Sequence, residues 1–195
     1  MGPSFNRQTA LVVVDVQNDF ADPRGNLFVP GGERVAELVR DLMLEAAGQG
    51  ALVACSQDWH PPQTPHFQDQ GGVWPTHCVE NTWGAELHPY LPRAAIVVPK
   101  GQGQADGYSA FGARSLETGK VIATPLAELL LRRRITSVYV AGLALDVCVR
   151  ATVLDSVNLG LATSLIADAT AAVNLKPGDG DRAIAEMRAR GATVV

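Results

Sequence analysis

Short runs of β-branched and other apolar residues alternate along the chain with longer stretches whose apolar residues recur at helical spacing. The first run, Thr9–Val14, precedes a helix predicted over residues 32–47, which ends at a pair of glycines. This alternation is typical of β-α-β units around a mostly parallel sheet. The pattern predicts further strands at 51–56, 95–99, 137–142, 162–166 and 192–195, and further helices at 125–133, 146–158 and 181–190.

Two long segments, residues 57–92 and 101–120, show no such period. They are rich in proline, glycine, histidine, tryptophan and glutamine. Long irregular loops in a compact domain usually carry function. The fold class expected is therefore α/β, with one three-layer α/β/α domain over residues 1–195, a six-stranded and mostly parallel sheet, and two functional loops.

Composition narrows the class of partner. The 195 residues are 47% hydrophobic and 18% charged, which suits one domain with a sizeable core and excludes disorder. Sixteen basic residues against 20 acidic ones give a net charge of −4, so neither nucleic acid nor a membrane surface is expected as a partner. No apolar run is long enough for a signal sequence or a membrane span, and three cysteines make a disulfide framework improbable. A cytoplasmic protein is expected.

Chemically capable side chains follow four of the predicted strands. Asp15 comes directly after the first strand, and Asp58 and His60 come after the second. Lys100 follows the third strand and Cys148 the fourth. Because ligands of open parallel sheets bind beyond the carboxyl ends of the strands, we expect these residues to meet at one crevice.

The first candidate group is a metal-type cluster, Asp58, His60, His66 and His77, spaced D-x-H-x5-H-x10-H within one aperiodic loop. Imidazole and carboxylate are ligands for Zn, Fe or Mn, and residues two apart leaving a strand point the same way. Any one of these histidines alone is better explained as an independently solvated loop residue. The set together predicts a divalent metal.

The second candidate group is an acid, an amine and a thiol, namely Asp15, Lys100 and Cys148. A neighbouring ammonium and a helix N-terminus both favour the thiolate of a cysteine, and Cys148 is predicted to have both. Taken singly, Cys148 reads as a buried core thiol and Asp15 as a strand-end cap. Their shared position predicts a nucleophile with its base and its cation.

These motifs together resemble the isochorismatase-like cysteine hydrolase superfamily, and within it the nicotinamidases and pyrazinamidases. The resemblance spans nearly the whole chain. Its segments are DVQNDF at 15–20, the glycines at 31–32, SQDWH at 56–60, HF at 66–67, WPTHC at 74–78, KG at 100–101, YSAF at 108–111 and AGLALDVCV at 141–149.

The resemblance implies roles for both groups. It makes Asp15, Lys100 and Cys148 the catalytic triad. It also makes an aspartate and three histidines the holders of a divalent metal ion, with Zn expected and Fe or Mn as alternatives. These ligands correspond to Asp58, His60, His66 and His77.

Other implications concern the pocket. By resemblance, Phe20, Trp74 and Tyr108 line an aromatic slot for a pyridine ring. A cis peptide bond is expected between Leu143 and Ala144, so that the N–H groups of Ala144 and Cys148 form an oxyanion hole.

Two positions depart from the family pattern. Leu145 stands where relatives often carry Thr, and Val147 where they carry Tyr or His. We expect both to make the rim of the pocket less polar.

The activity implied is hydrolysis of nicotinamide, and also pyrazinamide, to the acid and ammonia through a cysteine thioester, in NAD salvage. Three alternatives stay open: an amidase for another small amide or carbamoyl compound, a scaffold protein whose triad has decayed, and a metal-dependent hydrolase without a covalent step. The sequence also leaves a homo-oligomer open.

Overall fold

The computed structural model describes residues 2–93, 95–103 and 105–195. Its strands are β1 (Thr9–Val14), β2 (Leu52–Asp58), β3 (Ile96–Lys100), β4 (Ala105–Ser109), β5 (Gly112–Ser115), β6 (Val121–Ala123), β7 (Ser137–Leu143), β8 (Ala162–Ala171) and β9 (Thr193–Val194). The helices are α1 (Asn18–Ala21), α2 (Gly32–Gly48), α3 (Leu126–Arg132), α4 (Arg150–Asn158) and α5 (Asp179–Ala189). Short 3-10 turns occupy Gln68–Gln70 and Trp83–Ala85, and a π-helical turn, Leu145–Val149, leads directly into α4.

The central sheet has six strands in the order β3-β2-β1-β7-β8-β9, and all five of these pairings are parallel. Helix α2 packs on one face, while α3, α4 and α5 cover the other. Strand β1 is buried on both faces: Leu11 and Val13 point towards α2, and Val12 and Val14 towards the other layer. Burial on both sides explains why β1 is an unbroken apolar run. The predicted α/β/α layering and the six-stranded sheet are confirmed.

The strand order reverses between β1 and β7, because the chain adds β2 and β3 on one side of β1 and places β7 on the other. Such a reversal opens a crevice at the carboxyl ends of the two central strands. Gly142, near the end of β7, has φ 119°, and a Cβ there would lie 2.2 Å from the carbonyl oxygen of Val14. Only glycine permits this close approach of β7 to β1.

One element was absent from the sequence expectations. Residues 101–120 were predicted to be irregular, but β4 and β5 lie in this segment and form an antiparallel three-stranded sheet with β6, which begins at Val121. Its strands are short and carry Gly and Asp, which are depleted in strands, so no alternation is visible. Gly119, at φ 66° in the turn before β6, was the available hairpin signal.

Within the described ranges, no helix combines the length and the apolar character needed to cross a membrane.

Candidate active site

The acid, the amine and the thiol meet at the carboxyl end of the sheet. Lys100 Nζ lies 2.9 Å from Asp15 Oδ2 and 3.6 Å from Cys148 Sγ. All three residues are buried, with Asp15 wholly enclosed. We call Asp15, Lys100 and Cys148 the thiol cluster. The structure therefore brings together the three residues that the sequence placed at the ends of three different strands.

Strand and turn geometry positions these side chains. Asp15 follows β1 at φ 48°, a left-handed conformation that Asp tolerates better than most residues, and this turns the chain sharply at the strand end. Lys100 is the last residue of β3. Cys148 lies in the π-helical turn after β7, and such turns are frequent at functional sites.

Ser56 on β2 completes the surroundings of Asp15. Its hydroxyl donates to Asp15 Oδ1 at 2.7 Å, and it accepts from the backbone N–H of Asp15 at 3.3 Å. Sequence reasoning assigned Ser56 no role. The available signal was its place two residues before Asp58, which puts both side chains on the same face of β2.

Burial dominates the electrostatics of the thiol cluster. It raises the pKa of Asp15 to about 6, against the opposing attraction of Lys100. Burial alone would lower the pKa of Lys100, but the carboxylates of Asp15 and Asp58 raise it well above its usual range. Lys100 is therefore a permanent cation, whereas Asp15 titrates near neutral pH, where a general base is most effective.

The resting state of Cys148 differs from the sequence expectation. Burial raises the pKa of its thiol well above the usual range, and Asp15 and Asp58 raise it further, while Lys100 acts in the opposite direction. Burial, with help from the two carboxylates, thus outweighs the ammonium of Lys100, and Cys148 rests as a thiol. The expected thiolate requires transfer of its proton, and Asp15 is the acceptor within reach because its carboxylate lies within 4.8 Å of the sulfur.

Three histidines form a second group beside the first. One ring nitrogen from each of His60, His66 and His77 lies within 4.8 Å of the others, and all three residues are buried. We call them the histidine cluster. His77 Nδ1 lies 2.7 Å from the carbonyl oxygen of Pro75, so it carries the proton and leaves Nε2 free to bind. Among the described residues, neither ring nitrogen of His60 has a hydrogen-bond partner.

A buried imidazole with two unpaired nitrogens is costly unless something binds it. Burial also lowers the pKa of His77 to about 4, so its ring is neutral at physiological pH, as metal binding requires. Three imidazoles and one carboxylate suit Zn, Fe or Mn. These observations fit a divalent metal ion held by the histidine cluster.

Asp58 lies between the two clusters. Its Oδ1 is 2.5 Å from Lys100 Nζ, and its Oδ2 is 3.8 Å from His60 Nε2. Burial would raise its pKa, but the charges of Lys100 and His60 lower the pKa below the usual range. Gln17 holds the Asp58 backbone on both sides, donating to its carbonyl and accepting from its N–H at 2.8 Å each. Sequence reasoning missed this role of Gln17.

Two contacts hold the loop that carries the histidines: the close approach of the Gly101 backbone to His60, and a hydrogen bond to the buried Asp19. Gly101, at φ 73°, passes against the His60 ring, and a Cβ there would lie 2.6 Å from His60 Cε1. Asp19 accepts a hydrogen bond from the N–H of Cys78, the residue after His77, at 2.7 Å. The position of His77 thus depends on a residue far away in the sequence.

Both clusters reach one small cavity, the thiol cluster through Cys148 and the histidine cluster through His66 and His77. Its lining includes the three predicted aromatic residues Phe20, Trp74 and Tyr108, and the indole N–H of Trp74 donates to the Tyr108 hydroxyl at 3.0 Å. Asp58, His66 and His77 from the metal-type group line it as well.

Ala144 and Cys148, the residues expected to form the oxyanion hole, also line the cavity. The Leu143–Ala144 peptide bond is cis, as the resemblance implied.

Leu145 and Val147, the two departures from the family pattern, lie in different places. Val147 lines the cavity, as expected. The expectation for Leu145 is wrong: it is outside the cavity lining and packs into the core beside α4 and α5. The π-helical turn directs the two side chains differently, and an α-helical prediction did not anticipate this. Sequence reasoning also missed the apolar cavity residues Leu27, Val29 and Val173.

A parallel α/β sheet with a buried acid, ammonium and thiol beside a small cavity defines a hydrolase of the cysteine type. The isochorismatase domain family matches residues 9–195. The chain belongs to the isochorismatase family.

Three relatives illustrate the match. The nicotinamidase of Escherichia coli is 39% identical over 203 residues, covering 95% of this chain and 93% of that protein. A pyrazinamidase of Pyrococcus horikoshii, solved in complex with zinc, superposes with a TM-score of 0.86 at 38% identity, covering 96% and 98% of the two chains. PnC1 from L. infantum, solved in complex with nicotinate, gives a TM-score of 0.88 at 33% identity, covering 100% and 96%.

Proposed function

We propose that this protein hydrolyses nicotinamide to nicotinate and ammonia through a thioester on Cys148. The nicotinamidase from Escherichia coli and the nicotinate-bound structure from L. infantum support the substrate. The cavity lining supports a flat aromatic ligand, because Phe20, Trp74 and Tyr108 lie there together with Cys148.

The first half-reaction begins with a proton transfer. Asp15 accepts the proton of the Cys148 thiol, and Lys100 stabilises the thiolate that results. The sulfur attacks the carboxamide carbon, and the backbone N–H groups of Ala144 and Cys148 bind the oxyanion. Asp15 then returns the proton to the leaving nitrogen, the C–N bond breaks, and ammonia departs.

The second half-reaction reuses the same residues. Asp15, again a carboxylate, removes a proton from water, and the hydroxide attacks the thioester carbonyl. Breakage of the C–S bond regenerates the sulfur of Cys148, which recovers its proton from Asp15. Ser56 keeps the carboxylate oriented throughout, because its hydroxyl donates to Asp15 Oδ1.

We assign the metal ligands to Asp58, His60, His66 and His77, and zinc as the ion, on the model of the zinc complex from Pyrococcus horikoshii. When bound, the ion supplies a Lewis acid for the ring nitrogen of the substrate. His60, His66 and His77 would contribute imidazole nitrogens to the ion, and Phe20, Trp74 and Tyr108 would surround the ring of the substrate, so that the carboxamide faces the sulfur.

Pyrazinamide is the second substrate that we propose, because it differs from nicotinamide only by one additional ring nitrogen. The pyrazinamidase from Pyrococcus horikoshii supports this. Val147, Val29 and Val173 offer the additional nitrogen an apolar wall. We therefore expect pyrazinamide to be hydrolysed with a higher KM than nicotinamide.

One observation carries the proposal: Lys100 contacts Asp15 and Cys148 together at a cavity that also exposes His66 and His77. The test is to incubate the zinc-loaded protein with nicotinamide and to measure ammonia and nicotinate. Equal amounts of both products are expected. Release of neither, by a folded protein with bound zinc, would contradict the proposal.

We further propose that residues 1–195 form a single domain and that it operates in the cytoplasm. The shared central sheet supports the first statement, since both cores pack on it. The free thiols of Cys55, Cys78 and Cys148 support the second, because they persist in a reducing compartment.

A further inference from the structure

We propose that Asp106 is a positioning residue for the metal site, and that its carboxylate holds the ring of His66 with Nε2 directed at the metal. The inference rests on the proposed metal site and adds a residue that the motifs did not include. Asp106 lies in β4, outside the loop that supplies the histidines.

The two side chains approach each other to within hydrogen-bond distance. His66 Nδ1 lies 2.8 Å from Asp106 Oδ1, with the His66 side chain 5% exposed and that of Asp106 30% exposed. An ionised carboxylate can only accept a hydrogen bond, so Asp106 favours the tautomer of His66 that has the proton on Nδ1. The lone pair is then on Nε2, the nitrogen left for a metal ion.

The other two histidines provide an internal comparison. His77 is held in the same way, but by the backbone carbonyl of Pro75. His60 has no such partner among the described residues and is confined by the passage of Gly101 across its ring. Each of the three rings thus has a different neighbour that holds it, and only the neighbour of His66, Asp106, carries a charge.

The alternative is that Asp106 merely stabilises the hairpin by pairing across the strands. Its direct partner in the β4–β5 register is Arg114, which has the opposite charge. Arg114, however, is exposed and donates to the carbonyl oxygen of Gly119 at 3.1 Å. The Asp106 carboxylate points to His66 although a cation is its neighbour in register, so its contact serves the histidine cluster.

The same strand holds the loop at a second point. Tyr108, two residues further along β4, accepts a hydrogen bond from the indole of Trp74 at 3.0 Å. The register of β4 against β5 shifts between Asp106 and Ser109. The small antiparallel sheet thus supports the histidine loop through Asp106 at one end and Tyr108 at the other.

Carboxylates that hold a metal-binding imidazole fix its tautomer and raise its basicity, and their loss typically weakens metal affinity about 10–100-fold. We therefore expect Asp106→Ala to raise the Kd for Zn²⁺ about 10–100-fold. Asp106→Asn, which keeps an acceptor oxygen but loses the charge, is expected to lose less.

The experiment measures Zn²⁺ affinity of the metal-free protein by competition with a chromophoric chelator. Asp69→Asn is the matched control, because it removes an exposed carboxylate from the histidine loop. Its Kd should be unchanged. Nitrogen NMR of the His66 ring gives a second readout, in which the Nδ1–H tautomer is expected in the unaltered protein and a mixture in Asp106→Ala.

His66→Ala separates the two ways in which the inference can fail. If His66→Ala binds Zn²⁺ as tightly as the unaltered protein, the proposed metal site itself is wrong. If His66→Ala binds weakly while Asp106→Ala keeps its affinity and its tautomer, the metal site stands and the role of Asp106 is overturned. A lowered Tm in Asp106→Ala with an unchanged Kd for Zn²⁺ would also overturn the role of Asp106, because it would show that this residue only stabilises the fold.

Discussion

The thiol cluster lies at the carboxyl ends of three strands of one sheet, whereas the histidine cluster lies in a long loop outside that sheet. Asp15 and Lys100 take their places from the parallel pairing of β1 and β3 with β2. The His66 ring depends on a close contact with Asp106, and the His77 ring on Pro75 and, through the N–H of Cys78, on Asp19. The difference implies that the nucleophile is held by the fold itself, and that metal binding can be weakened without disturbing it.

The largest expected effect is the loss of the nucleophile. Cys148→Ala should lower ammonia release on the order of 10⁴-fold or more, because both half-reactions pass through this sulfur. Bound metal, measured by elemental analysis, should stay unchanged. Cys55→Ala is the control, since it removes a buried thiol from β2 at a distance from the cavity and should keep activity. Wild-type turnover in Cys148→Ala would favour metal-activated water as the nucleophile.

Removal of one histidine tests the histidine cluster. His77→Ala should abolish stoichiometric zinc binding and lower kcat/KM about 10²-fold, the effect of a misplaced substrate. Alkylation of Cys148 by iodoacetamide should proceed at the unaltered rate. His88→Ala, which removes a histidine outside the cluster, should keep its zinc. A parallel loss of zinc and of thiol reactivity in His77→Ala would mean that the two clusters are not independent.

Besides Asp58, Gly101 connects the thiol cluster and the histidine cluster, since it follows Lys100 and passes across the His60 ring. Gly101→Ala should lower the free energy of unfolding by about 1–3 kcal/mol from the left-handed backbone alone. The collision with His60 adds to this loss and should weaken zinc binding. Gly103→Ala separates the two contributions: Gly103 has φ 59° but nothing within 4 Å of its Cβ position. Equal zinc affinities in both variants would exclude the collision.

The smallest effect is a shift in pH dependence. Asp15 acts as a base only when it is ionised, so kcat/KM should fall tenfold per pH unit below its pKa of about 6. The Ser56 hydroxyl stabilises the ionised form, so Ser56→Ala should raise this pKa and move the acidic limb to higher pH by up to about one unit. Ser156→Ala, a buried hydroxyl paired with Thr163, should leave the limb in place. An unmoved limb in Ser56→Ala would assign it to another group.

The same contrast explains how much the sequence could predict. The residues at strand ends follow from a general rule for parallel sheets, and the structure brings Asp15, Lys100 and Cys148 together as that rule requires. The residues that hold these side chains in place follow no comparable sequence pattern. Ser56 and Gln17 act through cross-strand neighbours, and Asp106 acts through a hairpin that carries no alternation of apolar residues.

The directions of the side chains in the π-helical turn could not be predicted from the sequence either. Leu145 and Val147 are two residues apart, and a helical pattern assigned both to the rim. The wider turn sends Leu145 into the core and leaves Val147 at the cavity. The thiol of Cys148 illustrates a different limit, because its protonation depends on burial and on two carboxylates whose distances only the fold determines.

The position of the metal site within the cavity limits the pyridines that can react. In nicotinamide mononucleotide and in NAD the ring nitrogen is bonded to ribose, so it has no lone pair to offer a metal ion. The attached sugar phosphate would also have to fit beside Phe20, His66 and His77, which line the cavity. We therefore expect the enzyme to deamidate only the free vitamin and to spare the coenzyme pool that carries the same amide.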